Sequence, residues 1–402
     1  MKGDVQLPRL VLLIAAMVPA VAAIAVSEGD SATVHRIEVE AVPGLILHTN
    51  QFLRGNNPET RTMNHSFVTK VKYAFSPPED SEQAAIYKGV YQGVGLAFHD
   101  FNPQLGSPVS AYIFQGATIK SLSRRLSLNY EWDFGLTCGW RPFDRDDNPD
   151  NRVIGSKVTA YIDAEVYLRW MISRHWDLNV GTTFTHYSNG NTAIPNAGLN
   201  VVGAKASVAY YLNRKKEGCR GGGSASSLSP DSPSDRWLWD LTLYGAWKRR
   251  GYDIGDESFV LPGTYGVAGF NLNPLYRLNH MLNVGPSLDA FYDGSTNLKL
   301  DGIVPLYGDY TPADDNHIAH PSWTRQVGLG LSARAEFVMP YFTINFGIGH
   351  NLVNLNTRDM DGFYEILALK IGLTRKAYLH IGYSLYEFRR PNNLMLGLGL
   401  HL

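Results

Sequence analysis

Three polar side chains gather in one short stretch of this 402-residue sequence. His186 and Ser188 lie in the run His186-Tyr187-Ser188-Asn189-Gly190, and Asn200 closes the segment Pro195-Asn196-Ala197-Gly198-Leu199-Asn200. A serine hydroxyl is a weak nucleophile until a base takes its proton, and an imidazole is the usual base. The imidazole in turn needs a third group to fix its tautomer, a role that Asp, Glu or Asn fills in convergent triads. The pattern therefore reads as Ser188 nucleophile, His186 base and then acid, and Asn200 orienter. Asn189 and the backbone N–H groups around Gly190 are the candidates for an oxyanion site. The plainer reading is a turn, since Ser-Asn-Gly is ordinary turn chemistry.

What separates the readings is where the elements aim these side chains. From Trp176 the alternate residues Leu178, Val180, Thr182 and Phe184 form an apolar face, and the same parity carries His186 and Ser188. On the next run Val202, Ala204, Ala206, Val208, Tyr210 and Leu212 form the apolar face, and parity adds Asn200. With Ser188 and Asn200 opposed across the loop, His186 and Asn200 become diagonal neighbours, roughly 7–8 Å apart at Cα. If the apolar face meets lipid, three polar groups stand where lipid penalises polarity, which points to a function. The substrate facing them would be a lipid ester.

The alternation that places them runs through the whole chain. Val158–Trp170, Trp237–Trp247 and Val327–Phe337 each alternate apolar with polar residues, the period of a strand with one oily face. These runs exceed the five or six residues of a typical soluble strand and match the nine to eleven that a bilayer demands. Short connections fall near Ser121, Arg174, Asn279, Pro340 and Arg375. Long polar ones cover about Pro142–Asn151, Asn189–Gly198, Gly251–Val260, Gly294–Pro321 and Asn354–Gly362. Short inner turns and long outer loops predict an all-β, transmembrane antiparallel β-barrel of about sixteen strands, with about twelve to sixteen compatible with the pattern. The N-terminus carries Lys2 and Arg9, then the apolar run from Leu10 to Val18, then Ala20-Val21-Ala22 or Ala23-Ile24-Ala25. That is a cleaved signal peptide over residues 1–25. Residues 26–402 are expected to form a single barrel, interrupted by a flexible periplasmic segment at 215–235 that divides the strands into two halves of about eight. Export and barrel together place the chain in the outer membrane of a Gram-negative-type bacterium.

Composition excludes other classes. With 36 Lys+Arg against 37 Asp+Glu and 18% charged residues, the chain lacks the basic surplus of a nucleic-acid binder. Cys138 and Cys219 cannot make a cysteine-rich metal site. Asp144, Asp146, Asp147 and Asp150 would suit calcium, yet a solvated acidic loop is the simpler reading, so no metal or other cofactor is assigned. His317 and His320 with Asp314 and Asp315 read as a solvated loop. Asp163, Glu165 and Arg169 read as lumen charges, and Trp237, Trp239 and Trp247 as an aromatic girdle. Lys248-Arg249-Arg250 could contact lipopolysaccharide phosphates.

The string His186-Tyr187-Ser188-Asn189-Gly190 followed by Pro195-Asn196-Ala197-Gly198-Leu199-Asn200 resembles the signature of the outer-membrane lipid A deacylase (acyloxyacyl hydrolase) family. A weaker likeness covers Leu105-Gly106 and Pro108–Ile119. The resemblance implies a barrel enzyme that cleaves an ester-linked acyl chain from lipid A with His186 and Ser188. The family's acidic position, twelve residues past the serine, falls here on Asn200. Outer-membrane phospholipase A is similar over the same stretch and uses a His-Ser-Asn triad, with calcium at a dimer interface. Outer-leaflet lipopolysaccharide, a phospholipid, and a second copy of the chain are thus the expected partners. A porin-like barrel with a vestigial motif is the non-enzymatic alternative.

Overall fold

The alternation becomes strands. Over Val158–Met171, Tyr161, Asp163, Glu165 and Tyr167 are buried inward, while Ile162, Val166, Leu168 and Trp170 are exposed outward. The computed structural model describes residues 33–78, 81–214, 236–254, 257–300, 318–353, 359–388 and 390–402. The expected signal peptide at residues 1–25 and the segment Lys215–Asp235 lie outside the described residues.

Eight strands form a first barrel: β1 (Val34–Leu47), β2 (His65–Ser76), β3 (Tyr91–Asp100), β4 (Gly106–Ser121), β5 (Leu126–Trp140), β6 (Val158–Met171), β7 (Trp176–Ser188) and β8 (Leu199–Tyr211). Each pairs antiparallel with its neighbour, and β1 closes on β8 with Val39 opposite Val208 and Leu47 opposite Asn200. The second half begins with β9 (Trp237–Lys248) and a hairpin of β10 (Gly251–Ile254) and β11 (Glu257–Val260). It continues through β12 (Tyr265–Arg277), β13 (Leu282–Asp293) and a short pair of β14 (Lys299–Leu300) with β15 (Ile318–Ala319). It ends with β16 (Val327–Val338), β17 (Phe342–Asn351), β18 (Phe363–Gly372), β19 (Ala377–Tyr386) and β20 (Arg390–His401). Here β20 returns to β9, with Leu398 opposite Leu243, and closes a second barrel of eight strands. The expectation of one cylinder of about sixteen strands is therefore corrected: the strands divide equally between two closed barrels. Antiparallel pairing is local to each half, and closure satisfies the edge groups that a half-barrel would leave open. Among the described residues no helix is long and apolar enough to cross a membrane.

An eight-stranded barrel has an interior that side chains can fill, and both interiors are filled with paired charges. In the first, Lys70 meets Asp133 at 2.9 Å and Glu165 at 2.6 Å, and Lys72 meets Glu40 at 2.6 Å and Glu131 at 2.7 Å. Lys205 bridges Glu40 at 2.9 Å and also Glu165. Toward the outer end this network gives way to an apolar plug of Phe52, Leu53, Phe101, Leu105, Trp140 and Tyr187. In the second barrel Arg334 holds Asp289 at 2.7 Å, and Lys370 holds Asp240 at 2.6 Å together with Glu336. Asp163 and Glu165 lie on the lumen side, and Trp237, Trp239 and Trp247 are exposed outward.

Three of the short turns share one device. A hydroxyl at the first turn residue accepts from the two backbone N–H groups that would otherwise go unpaired. Ser123 serves Arg125 and Leu126 at 3.2 and 3.1 Å, Ser173 serves His175 and Trp176 at 3.2 Å, and Thr374 serves Lys376 and Ala377 at 3.2 and 3.0 Å.

Candidate active site

The end of β7 is fixed from inside the first barrel. Tyr187 points inward and is fully buried, its hydroxyl 3.1 Å from His99 Nδ1. Its ring stands edge-on to His99, Phe101 and Trp140. His99 Nε2 continues to Ser110 Oγ at 2.6 Å, and Ser110 to Thr137 Oγ1 at 2.6 Å. With Tyr187 anchored in this way, the two-residue period turns His186 and Ser188 outward. Both are half-buried, and the exposed Phe184 lies on the same face. On β8 Asn200 is also half-buried and outward, beside the exposed Val202.

His186 and Asn200 are direct cross-strand partners rather than the diagonal pair expected from the sequence. The loop between the strands sets the register, so Ser188 and Asn200 are not opposed. His186 Nδ1 lies 2.6 Å from Asn200 Oδ1. An amide oxygen only accepts, so the ring proton sits on Nδ1 and Nε2 carries the lone pair. The row across the wall reads Ile162, His186, Asn200, Leu47, so apolar side chains flank the polar pair on both sides.

Ser188 is engaged by Asn196, a residue to which the sequence reading gave no role. Asn196 Nδ2 donates to Ser188 Oγ at 3.1 Å, and Asn196 Oδ1 accepts the Asn189 N–H at 3.2 Å. The carboxamide thus ties the returning side of the loop between β7 and β8 back to the end of β7. Its signal was present in the Pro195-Asn196 pair, but only the folded loop shows which way the amide turns. Asn189 is buried, and Gly190 takes φ +63°, a left-handed conformation that glycine adopts at no steric cost.

The remaining candidates fall elsewhere. Asp144 acts as a turn cap: its Oδ1 accepts the N–H groups of Asp146 and Asp147 at 2.9 and 3.1 Å. These two bonds hold its carboxyl below the usual range. The described carboxylates that converge closely enough for an ion are instead Glu40, Glu131 and Glu165, and Asp133, Asp163 and Glu165. Lysine ammonium groups already sit among them. Lys248 is buried against Asp293 at 2.5 Å and Arg250 pairs with Asp359 at 2.7 Å, which leaves Arg249 as the exposed member of that basic triplet. His320 is exposed, while His317, Asp314 and Asp315 lie outside the described residues.

No curated protein matches the chain. Solved structures similar to it include the siderophore receptor PirA from Acinetobacter baumannii, at 8% identity over 89% of this chain and 68% of that one, with TM-score 0.20. The FrpB iron transporter from Neisseria meningitidis shares 9% identity over 93% and 71%, with TM-score 0.23. The Acinetobacter baumannii outer membrane protein Omp33 shares 8% over 92% and 98%, with TM-score 0.16. At such TM-scores these likenesses carry no argument. Family models are the informative comparison. Residues 64–209, which run from the start of β2 almost to the end of β8, match Lipid A 3-O-deacylase (PagL). Residues 237–402, the whole second barrel, match Acyloxyacyl hydrolase, C-terminal domain. With one barrel matched by each of two models of the same family, and His186, Ser188 and Asn200 inside the first, the chain belongs to the lipid A deacylase (acyloxyacyl hydrolase) family.

Proposed function

We propose that this protein is an outer-membrane hydrolase that removes an ester-linked acyl chain from lipid A, with Ser188, His186 and Asn200 as its triad. Ser188 Oγ attacks the ester carbonyl as its proton passes to His186 Nε2. The tetrahedral intermediate collapses, and the departing sugar alkoxide takes the proton from Nε2. Water, activated by the same nitrogen, then releases the acyl group from Ser188 as a free fatty acid. Asn200 holds the imidazole in the tautomer this sequence requires. The Asn196 amide, whose Nδ2 lies 3.1 Å from Ser188 Oγ, and the backbone at Gly190 are the donors proposed for the oxyanion, while the Asn189 N–H, given to Asn196 Oδ1, holds that amide in place. The observation that carries the reading is the 2.6 Å bond between His186 and Asn200 on the outward, lipid-side wall of the barrel. Outward exposure of Phe184 and Val202 beside it, and of Val166, Val180 and Val208 farther along the same wall, supports a site that meets lipid directly.

Mass spectrometry of lipid A from cells expressing the protein should show the loss of one acyl chain. Ser188→Ala and His186→Asn should each abolish that loss, by about a thousandfold or more, while the barrel still shows heat-modifiable mobility on gels. Undiminished deacylation by folded Ser188→Ala would exclude the serine mechanism. Asn200 itself favours a second reading, a phospholipase A of the His-Ser-Asn type. Release of fatty acid from glycerophospholipid vesicles, with lipid A masses unchanged, would select it. The pore reading loses its basis, because it needed one wide cylinder and each eight-stranded interior is packed with side chains.

A further inference from the structure

The imidazole of His186 is held by Asn200 at Nδ1, and the same Nδ1–Cε1 edge of the ring lies beside Gly198. A Cβ built on Gly198 would lie 3.2 Å from His186 Cε1, the carbon between the two ring nitrogens, so the bare Cα is what lets the ring lie there. Gly198 also adopts φ +73°, where L side chains are strained. A backbone that serves as the seat for a general base must itself be immobile, and this one is tied at both polar groups. Its N–H donates to Val153 O at 3.3 Å, and its carbonyl accepts from the hydroxyl of Thr49 at 3.0 Å. Thr49 lies two residues past the end of β1, where Leu47 pairs with Asn200, so its hydroxyl reaches Gly198 from the strand that flanks the orienter.

We infer that Thr49 is a positioning residue for the proposed hydrolysis: its hydroxyl pins the Gly198 carbonyl, and the pinned glycine seats the His186 ring with Nε2 available to Ser188. The inference rests on the reading of Ser188 and His186 as nucleophile and base. Displacement of a catalytic group by a fraction of an ångström slows the step it serves without removing the group. Thr49 is exposed and lies outside the apolar plug, so its hydroxyl can be removed without opening the core.

The test uses the full-length protein in detergent micelles and a fluorophosphonate probe, which labels an activated serine and reports two quantities. The final labelled fraction counts folded sites, and the labelling rate constant measures activation of Ser188. Thr49→Val should lower the rate constant about tenfold and leave the final fraction unchanged, whereas Thr49→Ser should stay within about twofold of the parent. Gly198→Ala should lower the rate at least as far, by pushing on Cε1. Labelling of Thr49→Val at the parental rate would overturn the inference, as would an equal loss in Thr49→Val and Thr49→Ser. A fall in the final fraction with the rate constant preserved would also overturn it, because Thr49 would then serve folding rather than positioning. Labelling of Ser188→Ala to the parental extent is a different result: it removes the serine mechanism itself, and this inference with it.

Discussion

At position 200 the chain carries a carboxamide where the resemblance to lipid A deacylases leads one to expect a carboxylate. A neutral amide oxygen still accepts the Nδ1 proton, at 2.6 Å, so orientation of the imidazole survives the exchange of an acid for Asn. What it lacks is the negative charge that steadies an imidazolium as it forms. Asn200→Asp preserves the acceptor and should retain activity within about tenfold of the parent. Asn200→Leu removes the acceptor and should lower kcat about a hundredfold or more, with KM little changed. Steady-state rates on purified lipopolysaccharide check both. Equal activity in Asn200→Leu and the parent would show that the 2.6 Å contact does no catalytic work.

Among the elements, β7 carries the most consequence, because one residue sets the direction of its neighbours. Tyr187 is the inward peg between two outward groups, held by a hydrogen bond to His99 and by edge-on contacts with the rings of His99, Phe101 and Trp140. Tyr187→Ala should cost about 3–5 kcal/mol through the cavity left in the plug, and activity should fall with it. Unfolding in urea, followed by tryptophan fluorescence, measures the first. Beneath the plug, Lys205 is the ammonium shared by Glu40 and Glu165. Lys205→Met would leave both carboxylates short of a partner in a dry interior, at a cost of about 3–5 kcal/mol. A midpoint equal to the parent's would mean that water or protons satisfy the network instead.

For the molecule as a whole, the division into two closed barrels decides what each can be asked to do. The corner between β19 and β20, which corresponds in strand order to the β7–β8 corner, carries Tyr383 and Leu385 on its outward parity, with no His-x-Ser pair. Hydrolysis is therefore expected from the first barrel alone, so Ser188→Ala should lose acyl release entirely although the second barrel is intact. Both barrels expose apolar residues along their strands, Val180 and Val208 on the first, Leu243 and Leu398 on the second. Cysteine placed at Leu243 should resist a membrane-impermeant maleimide in intact membranes as firmly as cysteine at Val180. Reaction at Leu243 alone would place the second barrel outside the bilayer. With both interiors packed by side chains, planar bilayers carrying the protein should show no steady conductance.

Strand identity, facing and the His-x-Ser pair were legible in the sequence because a period of two is local: Val158–Trp170 assigns its own inside and outside whatever its neighbours do. The turns near Ser121, Arg174 and Arg375 were legible for the same reason. The sequence even marked the division, at Lys215–Asp235, between halves of about eight strands. Closure was a different matter. Whether β8 pairs back to β1 or onward to β9 is settled by contacts between residues as far apart as Val39 and Val208, and no periodicity encodes that choice. Register across the β7–β8 loop, and with it the direct His186–Asn200 contact, depended on how Asn196 folds the loop. The support from Thr49 depended on β1 arriving beside β8 at barrel closure. Local patterning set which residues face lipid, and only the closed tertiary structure decided which of them touch.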